Sequence, residues 1–143
     1  MSYSTLADIK KLIPEETLIQ LTDDEGLGVV NQTRIDEAIK GADSEIDSYC
    51  GGRYKVPLST VPDIVKKLSI DIAIYNLYSR RVEEIPQTRA ERYKNAIRQL
   101  EAISKGVVSL GIDPQPSASI DGRAETNKET DENVFSRDKL EGF

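Results

Sequence analysis

From Pro62 to Arg80 the chain carries apolar side chains nearly all the way round a helix, and such a helix cannot lie on a surface. Ile64, Val65, Leu68, Ile70, Ile72, Ala73, Ile74, Leu77 and Tyr78 cover most of the circumference. A helix that packs on one side only keeps a broad polar face for water, whereas one that is apolar all round is buried. The segment therefore predicts a central helix walled in on more than one side. Pro62 suits the first turn, where its missing N–H costs nothing. Arg80 and Arg81 place cations at the negative end.

The walls are legible on either side of it. Residues 4–13 predict a short helix, with Thr5 and Asp8 at capping-box spacing and Leu6, Ile9, Leu12 and Ile13 on one face. Pro14 opens a second short helix over 15–21, with acids in its first turn. Residues 22–31 read as a loop. A long helix over 34–50 follows, with Ile35, Ala38, Ile39, Ala42, Ile46 and Tyr49 as its buried stripe and Thr33 with Asp36 as a second capping box. Gly51-Gly52 is expected to stop it by taking positive φ. RYKVPLST (53–60) is an extended connection, because Val56 precedes a proline. Thr88 and Glu91 predict a third capping box, opening a last helix with Tyr93, Ala96, Ile97, Leu100 and Ile103 inward and Lys105-Gly106 at its close. Val107, Val108 and Leu110 read as a brief strand or extended contact. The fold class is all-α: a small helical bundle around a central buried helix.

The last third departs from this pattern. Residues 113–133 are rich in Pro, Ser, Asp, Glu and Thr and nearly free of large apolar groups, and then Val134, Phe135, Leu140 and Phe143 follow at the tip. A segment too polar to fold alone orders on a partner, so the chain divides into a body (1–112) and an extended arm (113–143) with a docking tip. A frayed terminus is the plainer alternative. One domain fits the 143 residues.

Composition narrows function. The net charge is −6, and residues 107–143 hold 8 acids against 4 bases, which does not suit a general duplex-DNA clamp. There is no histidine, the commonest general base and transition-metal ligand. The single Cys50 excludes an intrachain disulfide and sits at a helix C-terminus, which does not activate a thiol. No signal-peptide pattern precedes the first amphipathic segment, and no apolar run approaches the roughly 20 residues of a membrane span.

Three constellations invite chemistry. Asp23, Asp24 and Glu25 with Gly26 and Gly28 resemble the start of a calcium loop, but Leu27 and Arg34 fall where oxygen ligands belong, so an acidic turn is expected. Asp36, Glu37, Asp43, Glu45 and Asp47 line one helix, read as a solvated face or a subunit contact, with Asp36 paired to Lys40. Arg80, Arg81, Arg89, Arg92, Lys94 and Arg98 form the one positive concentration. Of these, Arg81, Arg92 and Arg98 are candidates for phosphate contacts or for ion pairs with the second long helix or an adjacent subunit. No catalytic set, metal site or cofactor is indicated.

Several phrases together resemble a known family: STLADIKKLIPEETLIQLTDDEG, AIKGADSEIDSYCGGRYKVPL, PDIVKKLSIDIAIYNLYSRR, RAERYKNAIRQLEAISKGVVSLGID and VFSRDKLEGF. The chain resembles the phage Mu-type neck proteins, small helical head–tail connector or adaptor proteins of tailed phages and prophages. The block over 45–58 is the most specific part and 114–133 the weakest. The resemblance implies a structural, non-enzymatic protein of the virion neck, assembled in the host bacterial cytoplasm. It implies a homo-oligomeric ring, expected at twelve copies, that meets the portal protein and an adjacent neck or tail-completion protein. Genomic DNA would pass through without sequence-specific binding.

On that reading Val134, Phe135, Arg137, Leu140 and Phe143 are the arm's contacts, and Arg53 and Tyr54 a second interface. A tyrosine capping the local core is the other reading of Tyr54. The alternative function is a small helical nucleic-acid-binding module using the basic group over 80–98.

Overall fold

The computed structural model describes residues 2–80 and 84–114, which form five helices and, among the described residues, no strand. They are α1 (Leu6–Lys10), α2 (Glu15–Thr22), α3 (Gln32–Cys50), α4 (Asp63–Ser79) and α5 (Gln87–Ser104). The apolar circumference of α4 has its predicted consequence. Val65, Leu68, Ile72, Ala73, Ile74 and Leu77 are all buried, and α1, α2, α3 and α5 each pack on α4. Each of the larger of these side chains taken out of water contributes about 1.5–3 kcal/mol before ordering entropy is subtracted. Asn76 donates to the Ala38 carbonyl and Ser69 to Asp43. Residue numbers rise on one helix as they fall on the other, so α3 and α4 run antiparallel.

The caps divide between confirmed and corrected. Thr5 and Asp8 form the predicted capping box, each side chain reaching the other's backbone N–H. Thr33 does not cap α3. Asn31 does, its Oδ1 accepting from the Arg34 N–H at 3.2 Å, because the chain turns helical two residues earlier than the hydrophobic stripe indicates. Thr88 does not cap α5 either. Pro86, with φ already at −54°, starts the helix without a side-chain bond, and Glu91 pairs with Gln87 instead. Gly51 has φ −64° and so does not end α3 by a left-handed turn. A Cβ there would lie 2.9 Å from the Asp47 carbonyl, so closeness of backbone is what favours glycine. Gly106, at φ 83°, is the left-handed residue that ends α5. After it, the Val107 and Val108 N–H groups turn back to the Ala102 carbonyl instead of extending into a strand.

Two tyrosines fasten the irregular segments. Tyr3 donates its hydroxyl to Asp47 at 2.6 Å and accepts the Leu58 N–H at 2.8 Å, while its own N–H reaches Asp43 at 3.1 Å. Ser69 also donates to Asp43, and Ser4 lies 2.7 Å from the Ser69 hydroxyl. Tyr54 plays the same part at the other end, accepting the Leu110 N–H at 3.1 Å. A buried N–H left without a partner costs about 1–3 kcal/mol, so these hydroxyls fix where the 53–60 connection and the end of the body lie.

Candidate assembly surfaces

The α2–α3 loop is held by charge. Asp23 accepts the N–H groups of Leu27 and Gly28 at 2.9 and 2.7 Å, folding the loop over Gly26 and Gly28, both at positive φ. Those bonds hold the Asp23 carboxyl below its usual range. Asp24 receives both terminal nitrogens of Arg80, the closer at 2.7 Å, and Arg80 also donates to the Leu21 carbonyl. Arg34 Nε stands 2.9 Å from Asp24 without the alignment of a hydrogen bond, and its Nη2 is 3.3 Å from Glu25. The carboxylates that invite a calcium reading are thus taken by backbone N–H groups and guanidinium groups, which is the acidic turn expected. Beside these acids the loop turns two aliphatic side chains outward: Leu27 is 73% exposed and Val29 56%.

A groove of 340 Å³ runs along the first half of α4, between the end of α1 and the start of α5. Leu12, 42% exposed, and the partly buried Ile70 supply its apolar wall. Lys66, Lys67 and Arg92 surround it, and Asp71 lies at its base with its carboxylate 3.0 Å from Lys67 and 3.7 Å from Arg92. Lys66 also reaches Asp8 at 3.4 Å. Burial pushes the Asp8 carboxyl upward, but hydrogen bonds from Thr5 and the Lys66 ammonium outweigh it and leave the group below its usual range.

A second groove, of 380 Å³, lies between α3 and α5. Tyr93 stacks on Tyr75 with ring centroids 4.0 Å apart and donates to Glu45 at 3.1 Å. Burial, then the Glu45 charge, pushes its phenol up to about 12. Tyr49, Lys94, Ile97, Arg98 and Glu101 complete the lining.

These contacts place the predicted site residues. Tyr54 is 1% exposed and belongs to the core, as its second reading held, so its side chain offers no outward anchor. Arg53 lies over the Tyr54 ring, 5.6 Å from its centre, and donates to the Ile103 carbonyl at 3.4 Å. Arg92 pairs with Asp71 on α4 at 3.7 Å, and Arg98 donates to Asn95. Asp43 and Asp47 are not a solvated face: Tyr3 and Ser69 use them, and burial raises the Asp43 carboxyl despite those bonds. Asp36 accepts from Gln32. Burial and Asp47 push the Cys50 thiol up to about 11, in keeping with a structural cysteine. Arg81, Val134, Phe135, Arg137, Leu140 and Phe143 lie outside the described residues. Sequence reasoning missed the outward Leu27 and Val29, although two large aliphatic groups inside a glycine-rich acidic loop were a signal.

Residues 3–128 match the family described as Bacteriophage Mu, Gp36. The chain belongs to that family. It is 32% identical over 114 residues to the Mu-like prophage FluMu protein gp36 of Haemophilus influenzae, covering 80% of this chain and 78% of that protein. It is 29% identical to Gene product J of Escherichia phage Mu over 100% of this chain and 99% of that protein. The resemblance to a Mu-type phage family is thereby shown, on a helical body in which no helix among the described residues is long and apolar enough to cross a membrane.

Proposed function

We propose that this protein is a structural component of the phage neck, a ring adaptor between portal and tail that extends the DNA channel. The observation that carries the reading is the pairing of membership in a Mu phage family with a helical body that buries its core yet leaves four large aliphatic side chains at the surface while several of its charged groups fasten the fold. Asp23, Asp24, Arg34, Arg80, Asp43, Asp47 and Asp71 all hold the fold together. Leu12, Leu27, Val29 and Val107 stand at the surface as contacts for another chain.

In this reading the body, ending near Leu110 and Ile112, packs side by side with other copies, twelve being the expected number. The arm from 113 onward reaches a neighbouring copy, the portal or the next neck or tail-completion protein through Val134, Phe135, Arg137, Leu140 and Phe143. Burial of Phe135 and Phe143 would contribute about 1.5–3 kcal/mol each before ordering, and repetition round a ring multiplies small contributions. The slightly acidic chain favours passage of DNA over its capture. The protein acts at the virion neck after assembly in the host cytoplasm, without catalysis.

Electron microscopy of a lysate from a phage deleted for this gene tests the proposal. Filled or leaking heads beside separate, complete tails are expected. Normally joined virions would refute it.

A further inference from the structure

We infer that the ring contact between bodies is heterologous: the α2–α3 loop of one copy seats Leu27 and Val29 in the Leu12–Ile70 groove of the next. The inference rests on the ring reading above and names the surfaces that would build it.

Three observations meet here. The loop presents two exposed aliphatic side chains on a frame already fixed by Asp23, Arg34 and Arg80, so little ordering remains to oppose binding. The groove supplies an apolar wall, Leu12 and Ile70, in a hollow of 340 Å³. Roughly 300 Å³ is the lower end for sites that enclose a compact ligand. Charge also fits. Asp23, Asp24 and Glu25 outnumber Arg34 and Arg80 at the loop, and Lys66, Lys67 and Arg92 outnumber Asp63 and Asp71 at the groove. Opposite excess charge on facing surfaces sets register and speeds encounter.

Placement rules out self-occupation. The groove follows the N-terminal half of α4, and the loop is tied through Arg80 to its C-terminal end. From Lys67 to Arg80 a helix rises about 20 Å at 1.5 Å per residue. Knob and hole therefore sit on different parts of one body and cannot satisfy each other within it. Surfaces so separated can join head to tail, and such contacts close into a ring where the rotation between copies closes, which is the case the ring reading selects over a reciprocal two-fold pair.

The test is disulfide trapping in phage particles assembled with the full-length chain carrying Leu27→Cys, Leu12→Cys or both. Cys50 is fully buried and leaves a silent background. After mild oxidation, the double variant is expected to give a ladder of covalent multimers beyond the dimer, and each single variant none. Particles that contain the chain in multiple copies but give no ladder would overturn the contact and leave the ring standing. Dimers from Leu27→Cys alone would overturn it in favour of a face-to-face pairing. Particles built without the chain would overturn the ring reading and this contact together. Leu27→Asp supplies a second readout. The thermal midpoint of the purified chain should stay unchanged, and incorporation into particles should be lost; full incorporation would overturn the contact.

Discussion

The α3–α4 seam and the α2–α3 loop fix backbone by opposite means. Along the seam, Ile35, Ile39, Ala42 and Ile46 close on Leu68, Ile72 and Leu77, all buried. In the loop, no buried apolar side chain intervenes between Leu21 and Ile35. Three carboxylates and two guanidinium groups do the fastening instead. Apolar burial consumes the side chains it uses, since a residue that holds the core cannot also meet a partner. Polar fastening leaves Leu27 and Val29 unspent. A loop secured through its acids keeps its hydrophobes at the surface, at the expense of a sensitivity to salt that apolar packing does not share.

The comparison breaks most visibly at the seam. Ile72→Ala should lower the unfolding free energy by about 2–5 kcal/mol in urea titration, the range for truncating a buried large aliphatic. A loss under 1 kcal/mol would mean that α4 is not the centre of the fold.

Next in size is the α1 cap. Asp8→Ala should cost about 1 kcal/mol, as loss of a capping partner does, and its signature lies in pH. The Asp8 carboxyl is held below its ordinary 3.8, so its stabilisation is complete above that value and disappears as pH falls through the lower folded-state value. Asp43 works the other way: its carboxyl is raised, so its contribution is present below 3.8 and is lost as pH rises through the folded-state value. Acid titration followed by circular dichroism should show the parent weakening below about pH 4, with that slope flattened in the variant. An unchanged slope would remove Asp8 from the account.

The smallest effect belongs to the loop. Asp24→Ala removes the acid that Arg80 and Arg34 share, and partly exposed ion pairs contribute about 0.2–1 kcal/mol. Global stability should barely move. Amide exchange at Leu27 and Gly28 should quicken, and raising salt should shrink the difference between variant and parent. A seam amide such as that of Ile39 should not respond.

How far these features were legible depends on their range. The Thr5–Asp8 box spans three residues and was readable directly. Asn31 and Thr33 are both competent caps two residues apart, and local chemistry alone does not choose between them. Tyr3 drew no attention, because its partners lie 40, 44 and 55 residues away. The same distance hid the roles of Asp43 and Asp47, whose spacing on α3 matches a solvated face until Tyr3 and Ser69 arrive. The carboxylates of the α2–α3 loop could be denied a metal from sequence, but Arg80 as their holder could not be named, being 56 residues from Asp24.

The sequence by itself determined the five-helix order, the burial of α4 and the exclusion of histidine-based chemistry, because periodicity and composition act within a turn or two and need no partner. It also carried the family membership, through phrases spread along the chain. Tertiary structure alone decided which polar groups are fasteners and which apolar groups are left over. A carboxylate, a tyrosine hydroxyl or an exposed leucine acquires its role only from what folding brings opposite it.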